Sequence, residues 1–313
     1  MYGRVLVIGS ANVDVSVTTA VLPRAGETVA GDAAVISMGG KGANQAAAAA
    51  ACGAPTEFVG RVGDDAFGRM VHESLAARSL GLSHLRATPG ATTGLAAIYV
   101  DHAGQNCIAV VSGANALLTP DDVAAIQPMI DTAAIIVLQC ETPLPTVYRV
   151  IELAAASATP VILNPAPCHG IELARLPPGI TYLVPNETEA AALTGLPIGS
   201  LGEAQACAER LRSAGFPCVI ITLGARGCVI LDAGGFRHVP AHAVNAIDTT
   251  GAGDAFVGCL AAALATGRPL DEAVRRAGVF AALSTTRRGA QLSYPDAVEF
   301  GRAWHGLAAR SAE

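Results

Sequence analysis

Short apolar, β-branched runs alternate with longer helical patterns along most of the chain, and this alternation constrains the fold more than any other feature. The runs predict strands at Val5–Ile8, Ile135–Leu138, Val161–Leu163, Tyr182–Val184 and Val219–Thr222. The helical patterns cover Ala43–Cys52, Phe67–Arg78, Pro120–Met129, Pro145–Ala156, Glu203–Ser213, Asp254–Ala265 and Asp271–Thr285. Such alternation builds a mainly parallel sheet through right-handed crossovers. We therefore predict an α/β fold, a three-layer α/β/α domain with a mainly parallel central sheet, over residues 1–313.

Two stretches depart from this rhythm. One lies within residues 11–37, and the other, within residues 91–113, has two apolar runs around the turn Asp101–Gly104 and predicts a β-hairpin. Together they predict a small sheet inserted in the domain, of the kind that forms a lid over an active site.

Composition excludes several classes of function. The chain is 51% hydrophobic, and its formal charge is −6 with no cluster of Lys or Arg. A nucleic-acid surface needs basic density, so nucleic acid is not an expected partner. The longest apolar stretches fall short of the roughly 20 residues that cross a bilayer, and the first residues carry no export signal. We therefore expect a cytoplasmic protein with no membrane partner.

The eight cysteines and seven histidines are scattered. No C-x-x-C pair occurs, and the histidines lack the spacing of metal ligands. Buried thiols in a reducing compartment explain the cysteines better than a transition-metal site does.

A glycine-rich motif, Asp248-Thr-Thr-Gly-Ala-Gly-Asp254, precedes an Ala-rich helical pattern. Glycines at a helix entrance expose backbone N–H groups, and the helix dipole adds positive potential, so the motif can bind an anion. Asp254 in the first turn can then act as a carboxylate base. An ordinary glycine turn with Asp as a cap is the structural alternative. The P-loop and the dinucleotide-binding fingerprint are both missing.

Two further motifs lie earlier. Gly39-Gly-Lys-Gly-Ala-Asn-Gln45 is a glycine turn that leads into a helix, and its amide and ammonium groups suit a polyhydroxyl ligand. Asn12-Val13-Asp14 follows the first strand, at the edge where open α/β sheets bind ligands. The structural alternatives are a solvated Lys41 and a turn or cap role for Asp14.

These motifs occur in the order found in the PfkB-type carbohydrate kinases, the ribokinase family, which the chain resembles over nearly its full length. Further matching segments are Asn164–Pro167, Pro185–Glu189, Thr222–Gly227 and Arg287–Gln291. The resemblance implies a ribokinase-like fold with a lid sheet and a kinase reaction.

The resemblance also implies individual roles. Asp254 matches the base that takes the proton from the sugar's primary hydroxyl, and the N–H groups of Gly251, Ala252 and Gly253 match the anion hole for the transferring phosphoryl group. The positions that match the sugar site are Asn12, Asp14, Gly40, Lys41, Asn44, Glu141 and Asp254. Those that match the nucleotide site are Asn186, Thr222, Gly224, Gly227, Gly253 and Gly278.

Two metal ions follow from the same resemblance. Glu189 matches the position that orders Mg²⁺ through water, as a cation that keeps its hydration shell allows. A monovalent K⁺ site, which activates family members, matches the side chains of Asp248 and Ser293 and the carbonyls of Thr250, Ser284, Arg287 and Gly289. A simple pairing of Asp248 with an arginine is the alternative.

The expected function is therefore ATP-dependent phosphorylation of D-ribose at its 5-hydroxyl. A kinase of 2-deoxyribose, another pentose or adenosine is the first alternative, because one hydroxyl or one pocket changes specificity without changing the machinery. A non-catalytic sugar sensor is the second. We also expect a homodimer through the lid sheet, since proteins cover exposed hairpin edges.

Overall fold

A computed structural model describes residues 3–310, and the side chains of residues 3–306. The strands, in chain order, are β1 (Val5–Ile8), β2 (Asn12–Thr19), β3 (Gly31–Gly39), β4 (Thr56–Gly63), β5 (Gly81–Thr88), β6 (Gly94–Asp101), β7 (Asn106–Val111), β8 (Ile135–Leu138), β9 (Val161–Leu163), β10 (Tyr182–Leu183), β11 (Val219–Thr222), β12 (Cys228–Asp232) and β13 (Gly235–Val239). The helices are α1 (Lys41–Ala51), α2 (Ala66–Ala76), α3 (Pro120–Ala124), α4 (Gln127–Thr132), α5 (Leu144–Ala156), α6 (Glu187–Thr194), α7 (Leu201–Ser213), α8 (Ala252–Ala265), α9 (Leu270–Ser284) and α10 (Ala297–Arg310).

The main sheet has nine strands in the order β13-β12-β11-β10-β9-β8-β1-β4-β5. Neighbouring strands are parallel from β5 to β11, whereas β12 and β13 pair antiparallel at one end. The predicted, mainly parallel sheet is confirmed, and the five predicted strands lie together in its centre.

Helices cover both faces of this sheet. Successive residues of a strand point to opposite faces. Val5 and Val7 of β1 accordingly join a core formed with α1, α2, α8, α9 and α10. Leu6 and Ile8 join a second core, formed with α3 to α7. The two cores make the three-layer arrangement that the sequence predicts.

The helix predicted at Pro120–Met129 is wrong in one respect, because the chain forms two short helices there. Helix α3 ends at Ala124, and α4 begins again at Gln127 with Pro128 in its first turn. Proline has no N–H to donate to the preceding turn and its ring clashes there, whereas it is tolerated at a helix start.

A separate four-stranded sheet has the order β3-β2-β6-β7. Strand β2 runs parallel to β6, and the β6–β7 hairpin forms as predicted. This small sheet begins at Asn12, just beyond the carboxyl end of β1, and its strand β3 ends at Gly39, just before α1. The segments 12–39 and 94–111 therefore adjoin the edge of the main sheet where ligands bind in α/β folds. Within the described residues, no helix is long and apolar enough to cross a membrane.

Candidate active site

The Asp254 carboxylate lies in the first turn of α8 and is 6% exposed. Helix α1 packs beside α8 and supplies an amide to each of its oxygens. Asn44 Nδ2 donates to Oδ2 at 3.0 Å, and Gln45 Nε2 donates to Oδ1 at 2.9 Å. A carboxylate held at both oxygens keeps one orientation, which suits a group that must receive a proton at a fixed point.

The turn before α8 exposes backbone donors. Gly251 has φ +74°, a left-handed conformation that favours glycine, and it begins the helix. The N–H of Ala252 donates to the Thr249 carbonyl at 3.2 Å. Among the described residues, the N–H groups of Gly251, Gly253 and Asp254 have no acceptor. Together with the helix dipole, these free donors make a cradle for an anion. Of the three donors predicted for the anion hole, only Ala252 is already engaged.

A pocket of about 160 Å³ opens beside this turn. The pocket is lined by predicted site residues from distant parts of the chain, together with the amide of Asn164 and the apolar side chains of Val184 and Val257. These residues are Lys41, Asn164, Val184, Asn186, Glu189, Thr222, Gly251, Gly253, Asp254 and Val257. The predicted base, one predicted sugar ligand and the predicted Mg²⁺ position thus share one cavity.

Asn12 and Asp14 lie at the start of β2. Asn12 is 5% exposed, and its Oδ1 accepts from Asn115 Nδ2 at 2.7 Å. Asp14 packs against Gly39, where an added Cβ would lie 2.2 Å from Asp14 Oδ2. Burial, and then the charges of Glu141 and Asp254, raise the pKa of Asp14 from 3.8 to about 6. The carboxylates of the site therefore repel one another in the absence of a ligand.

Glu141 joins β8 to the start of α1. Its Oε2 accepts from Ser10 Oγ at 2.6 Å and from the Lys41 N–H at 2.9 Å, so this oxygen caps α1. Among the described residues, Oε1 accepts no hydrogen bond, which leaves it for a ligand. Burial lowers the pKa of the Lys41 ammonium, but the charges of Asp254, Glu141 and Glu189 outweigh burial and raise it overall. Lys41 is therefore cationic and balances three carboxylates.

Asn186 and Glu189 form a capping box at the start of α6. Asn186 donates to Glu189 through its backbone N–H and its Nδ2, both at 2.9 Å, and the Glu189 N–H donates back to Asn186 Oδ1 at 2.8 Å. Burial raises the pKa of Glu189, with the Asp254 charge adding to burial and the Asn186 N–H and the Lys41 charge opposing it.

The predicted nucleotide residues follow the adjacent strand. Thr222 ends β11 and pairs with Asn186 through a single β-bridge, and Gly224 begins the turn that follows. Gly227 has φ +89°, and a Cβ there would lie 2.1 Å from the Val239 carbonyl oxygen, so the turn requires glycine. Gly278 lies in α9 and is not among the residues that line the pocket, and the position of a Cβ there has open space around it.

The predicted K⁺ ligands lie on two loops joined by Asp248. Its Oδ1 accepts from the backbone N–H and the hydroxyl of Thr250, and its Oδ2 accepts from the Gly289 N–H at 2.8 Å. Burial raises the pKa of Asp248, but these hydrogen bonds outweigh burial and hold it below its usual value. No arginine within the described side chains forms an ion pair with Asp248.

The remaining predicted K⁺ ligands are oxygens that face no donor in the described structure. The carbonyls of Thr250, Ser284, Arg287 and Gly289 accept no hydrogen bond from these residues. Ser293 is fully buried, and its hydroxyl donates to the Ala290 carbonyl at 2.8 Å, which leaves its oxygen lone pairs. A set made only of oxygens suits a hard cation. Among the described residues, no group of three or more His, Cys, Asp or Glu has the arrangement of a metal site.

Several residues of the site are not predicted by the sequence patterns. Gln45 and Gln291 lie within the matching motifs but have no predicted role, and Gln139 and Asn115 lie outside them. All four are buried. A usable signal exists for Gln139, because it follows directly after β8 at the ligand-binding edge of the sheet.

Comparison with known proteins identifies the group to which this arrangement belongs. A family model described as pfkB family carbohydrate kinase matches residues 3–297. A deoxyribokinase of Salmonella typhi is 37% identical over 296 residues, which are 95% of this chain and 97% of the relative. A ribokinase of Mus musculus is 38% identical over 299 residues, which are 93% of this chain and 91% of the relative. The structure of Arabidopsis thaliana ribokinase complexed with ribose and ATP has a TM-score of 0.88 at 32% identity, and the match covers 97% of this chain and 99% of that one.

Proposed function

This chain belongs to the pfkB family of carbohydrate kinases and is therefore a sugar kinase; from that premise we propose that it transfers the γ-phosphoryl group of ATP to the 5-hydroxyl of D-ribose. One observation carries the proposal. The pocket beside α8 is lined by the Asp254 carboxylate together with Lys41 from the proposed sugar side and Asn186, Glu189 and Thr222 from the proposed nucleotide side. An acceptor hydroxyl and a phosphoryl donor can meet there.

The sugar side offers groups matched to neighbouring hydroxyls. We assign Asn12, Asp14, Gly40, Lys41, Asn44 and Glu141 to the sugar. Carboxylates and amides can each take part in two hydrogen bonds to adjacent hydroxyl groups. Because the pKa of Asp14 is raised by burial and by neighbouring carboxylates, hydroxyl donors from a sugar would relieve part of the repulsion within the site.

In the proposed reaction, Asp254 receives the proton of the 5-hydroxyl as the hydroxyl oxygen attacks the γ-phosphorus. The bond from the γ-phosphorus to the bridging β-oxygen breaks, so the products are ribose 5-phosphate, ADP and a proton. The free N–H groups of Gly251 and Gly253, with that of Asp254, stabilise the charge on the transferring group. The Ala252 N–H joins them only if it leaves the Thr249 carbonyl.

The nucleotide is assigned to Asn186, Thr222, Gly224, Gly227, Gly253 and Gly278. The Thr222–Gly227 turn adjoins the pocket through the bridge between Asn186 and Thr222. Open space beside Gly278 suits a planar base packed on α9.

Two cations complete the assignment. The Glu189 carboxylate lines the pocket and fits a Mg²⁺ ion held through its waters, which neutralises phosphate charge when bound. The unpartnered carbonyls around Asp248 fit K⁺, which would tie together the two loops that flank the anion hole. The residues assigned to K⁺ are Asp248, Thr250, Ser284, Arg287, Gly289 and Ser293.

One specific finding makes 2-deoxyribose the second candidate sugar, namely the deoxyribokinase relative at 37% identity. 2-Deoxyribose lacks one hydroxyl. A site whose buried polar groups bind that hydroxyl rejects the analogue, because its groups are left unpaired. The polar pair Asn12 and Asp14 at the start of β2 favours ribose over 2-deoxyribose on this ground.

We also assign a homodimer through the small sheet and a cytoplasmic location. Strand β7 is an edge strand that is exposed along its whole length, and Ile108 and Val110 on it are 53% and 61% exposed. A second copy of the sheet would cover these side chains. All eight cysteines are free thiols, as suits a reducing compartment.

The test is a coupled ADP-release assay with ATP, Mg²⁺ and K⁺ across ribose, 2-deoxyribose, fructose and adenosine. Selective turnover of ribose is the expected result. Preference for 2-deoxyribose or adenosine would change the proposed sugar substrate but keep the proposed roles of Asp254 and the anion hole. Binding of ribose in calorimetry without turnover of any acceptor would favour a sugar sensor and overturn the proposed reaction.

A further inference from the structure

The two amides that hold Asp254 are themselves held by two buried glutamines. Gln139 and Gln291 are 1% and 3% exposed, and they come from different elements: Gln139 directly follows β8, and Gln291 begins the short helical turn Gln291–Ser293. Gln139 donates to the side-chain oxygen of Gln45, and Gln291 donates to the side-chain oxygen of Asn44. The side-chain nitrogens of Gln45 and Asn44 in turn donate to the Asp254 carboxylate. The carboxylate therefore lies between two chains of side-chain hydrogen bonds.

The first chain passes through Gln45. Gln139 Nε2 donates to Gln45 Oε1 at 2.7 Å, while Gln45 Nε2 donates to Asp254 Oδ1 at 2.9 Å and to Asn164 Oδ1 at 3.1 Å. An amide can also sit the other way round, with its oxygen toward the carboxylate, and that arrangement would be repulsive. The N–H of Gln139 favours the productive orientation, because it needs an acceptor at the far end of Gln45.

The second chain passes through Asn44. Gln291 Nε2 donates to Asn44 Oδ1 at 3.0 Å, and Asn44 Nδ2 donates to Asp254 Oδ2 at 3.0 Å. Gln291 is fixed in turn, because Arg78 donates to its backbone carbonyl at 3.0 Å. The same logic of amide orientation therefore applies to the second carboxylate oxygen.

Both glutamines carry an unpaired group. Within the described side chains, the buried nitrogen and oxygen atoms without a partner are Arg4 Nε, Gln139 Oε1 and Gln291 Oε1. A buried acceptor without a donor is destabilising. Within the described residues, the one hydrogen bond that each glutamine side chain makes is the bond from its Nε2 to the amide that holds Asp254.

We propose that Gln139 and Gln291 are positioning residues that fix the Gln45 and Asn44 amides and thereby aim the Asp254 carboxylate at the acceptor hydroxyl. This inference rests on the proposed function, in which Asp254 is the base. Neither glutamine is assigned a contact with a substrate. Both act through another side chain. Loss of Gln139 changes the rate of the chemical step, and loss of Gln291 also affects sugar binding, because its partner Asn44 is assigned to the sugar.

The Gln139→Met variant tests the first chain, because methionine keeps the length and volume of the side chain and removes its donor. We expect kcat to fall by about tenfold to a hundredfold, the order expected for a misplaced catalytic group. We expect KM for sugar and ATP to stay within about twofold, as for a group that acts on the transition state alone. The melting temperature should fall by a few degrees at most, because the variant removes the unpaired Gln139 Oε1 but leaves the buried Gln45 Oε1 without its donor.

A matched control is Gln205→Met. Gln205 is a partly exposed glutamine on α7, and its amide also donates to a carboxylate, that of Glu209, at 2.9 Å. Its kcat and KM should equal those of the wild type. A wild-type kcat in Gln139→Met, or a rise in KM with kcat unchanged, would overturn the proposal.

A double-mutant cycle separates positioning from general destabilisation. If Gln139 acts through Gln45, adding Gln139→Met to Gln45→Met should lower kcat by less than about threefold further, because the shared path is already broken. Full additivity of the two losses would overturn the proposal. Gln291→Met on an Asn44→Ala background is the corresponding cycle for the second chain.

A crystal structure of Gln139→Met distinguishes failure of this inference from failure of the proposed function. If the wild type phosphorylates no sugar, the proposed function fails, and the position of Asp254 still reports on the glutamine. A rotated or displaced Asp254 carboxylate is the expected result. An unchanged carboxylate would overturn the positioning role, whatever the wild-type protein catalyses.

Discussion

Replacing Asp14 with Asn tests the electrostatic description of the sugar side of the site. Asp14 lies near two other carboxylates, and burial together with Glu141 and Asp254 raises its pKa from 3.8 to about 6. In the folded protein the ionised form of Asp14 is therefore disfavoured. A neutral asparagine of the same shape removes that repulsion, so we expect Asp14→Asn to be more stable than the wild type and to bind sugar more weakly.

The size of the gain follows from the pKa. Each pH unit by which a pKa moves is worth 1.36 kcal/mol, so a rise from 3.8 to about 6 corresponds to about 3 kcal/mol. Because Asp14 keeps part of its contact with solvent, we discount this to about 1–2 kcal/mol. For a chain of 313 residues, that shifts the melting temperature by roughly 2–3 °C.

The size of the gain depends on pH. Below about pH 4, Asp14 is protonated in both the folded and the unfolded state, and the variant gains nothing. The gain appears between about pH 4 and pH 6 and is complete above pH 6. Thermal unfolding of both proteins without ligands, followed by circular dichroism from about pH 3 to pH 8, measures it.

Asp65→Asn is the control with the opposite sign. Burial raises the pKa of Asp65, but hydrogen bonds from Thr93 and Gly68 outweigh burial and lower it. This variant should be less stable than the wild type at pH 8, and the deficit should shrink as the pH falls below about 4. Equal stability of Asp14→Asn and wild type at pH 8, or a gain that persists at pH 4, would refute the reasoning.

Three further predictions concern the cations and the small sheet. Glu189→Gln should raise the Mg²⁺ concentration needed for half-maximal turnover by about tenfold, as measured by a Mg²⁺ titration. The melting temperature should change little, because Gln also serves in a capping box. An unchanged Mg²⁺ midpoint would exclude the assigned role. Asp248→Asn should weaken K⁺ activation by about tenfold in a titration in which Na⁺ replaces K⁺ at constant ionic strength, and equal K⁺ dependence of the two proteins would contradict the assignment. The wild type should sediment at twice the monomer mass of 31.5 kDa, and the double variant Ile108→Lys/Val110→Lys should sediment at the monomer mass. A monomeric wild type would contradict the dimer hypothesis.

The sequence predicts the central architecture well because its strands are short, apolar and buried on both faces. The predicted bounds of β1, β8, β9 and β11 coincide with those in the structure. Strands β4 and β5 are not predicted. Their polar and glycine residues, as in Thr56–Gly63, hide the pattern. Strand β4 pairs with β1 and β5 pairs with β4, and such pairing is a tertiary effect that local propensity does not encode.

For the candidate site, the structure shows which of the predicted residues lie together. Asp254, Lys41 and Glu189 belong to three separate motifs that predict one shared site, and all three side chains line the same pocket. The glutamines Gln139 and Gln291 cannot be found in this way, because an isolated glutamine carries no local signal. Their role follows from partners 94 and 247 residues away along the chain.

The central claim is that Asp254 is the base of a ribose kinase, and identification of the product by ³¹P NMR tests it most directly. The wild type with ATP, Mg²⁺, K⁺ and ribose should yield ribose 5-phosphate. Asp254→Asn should bind ribose in calorimetry but form product about 10²–10⁴ times more slowly, as expected for loss of a general base. Phosphorylation at another hydroxyl, or wild-type turnover by Asp254→Asn, would contradict the account.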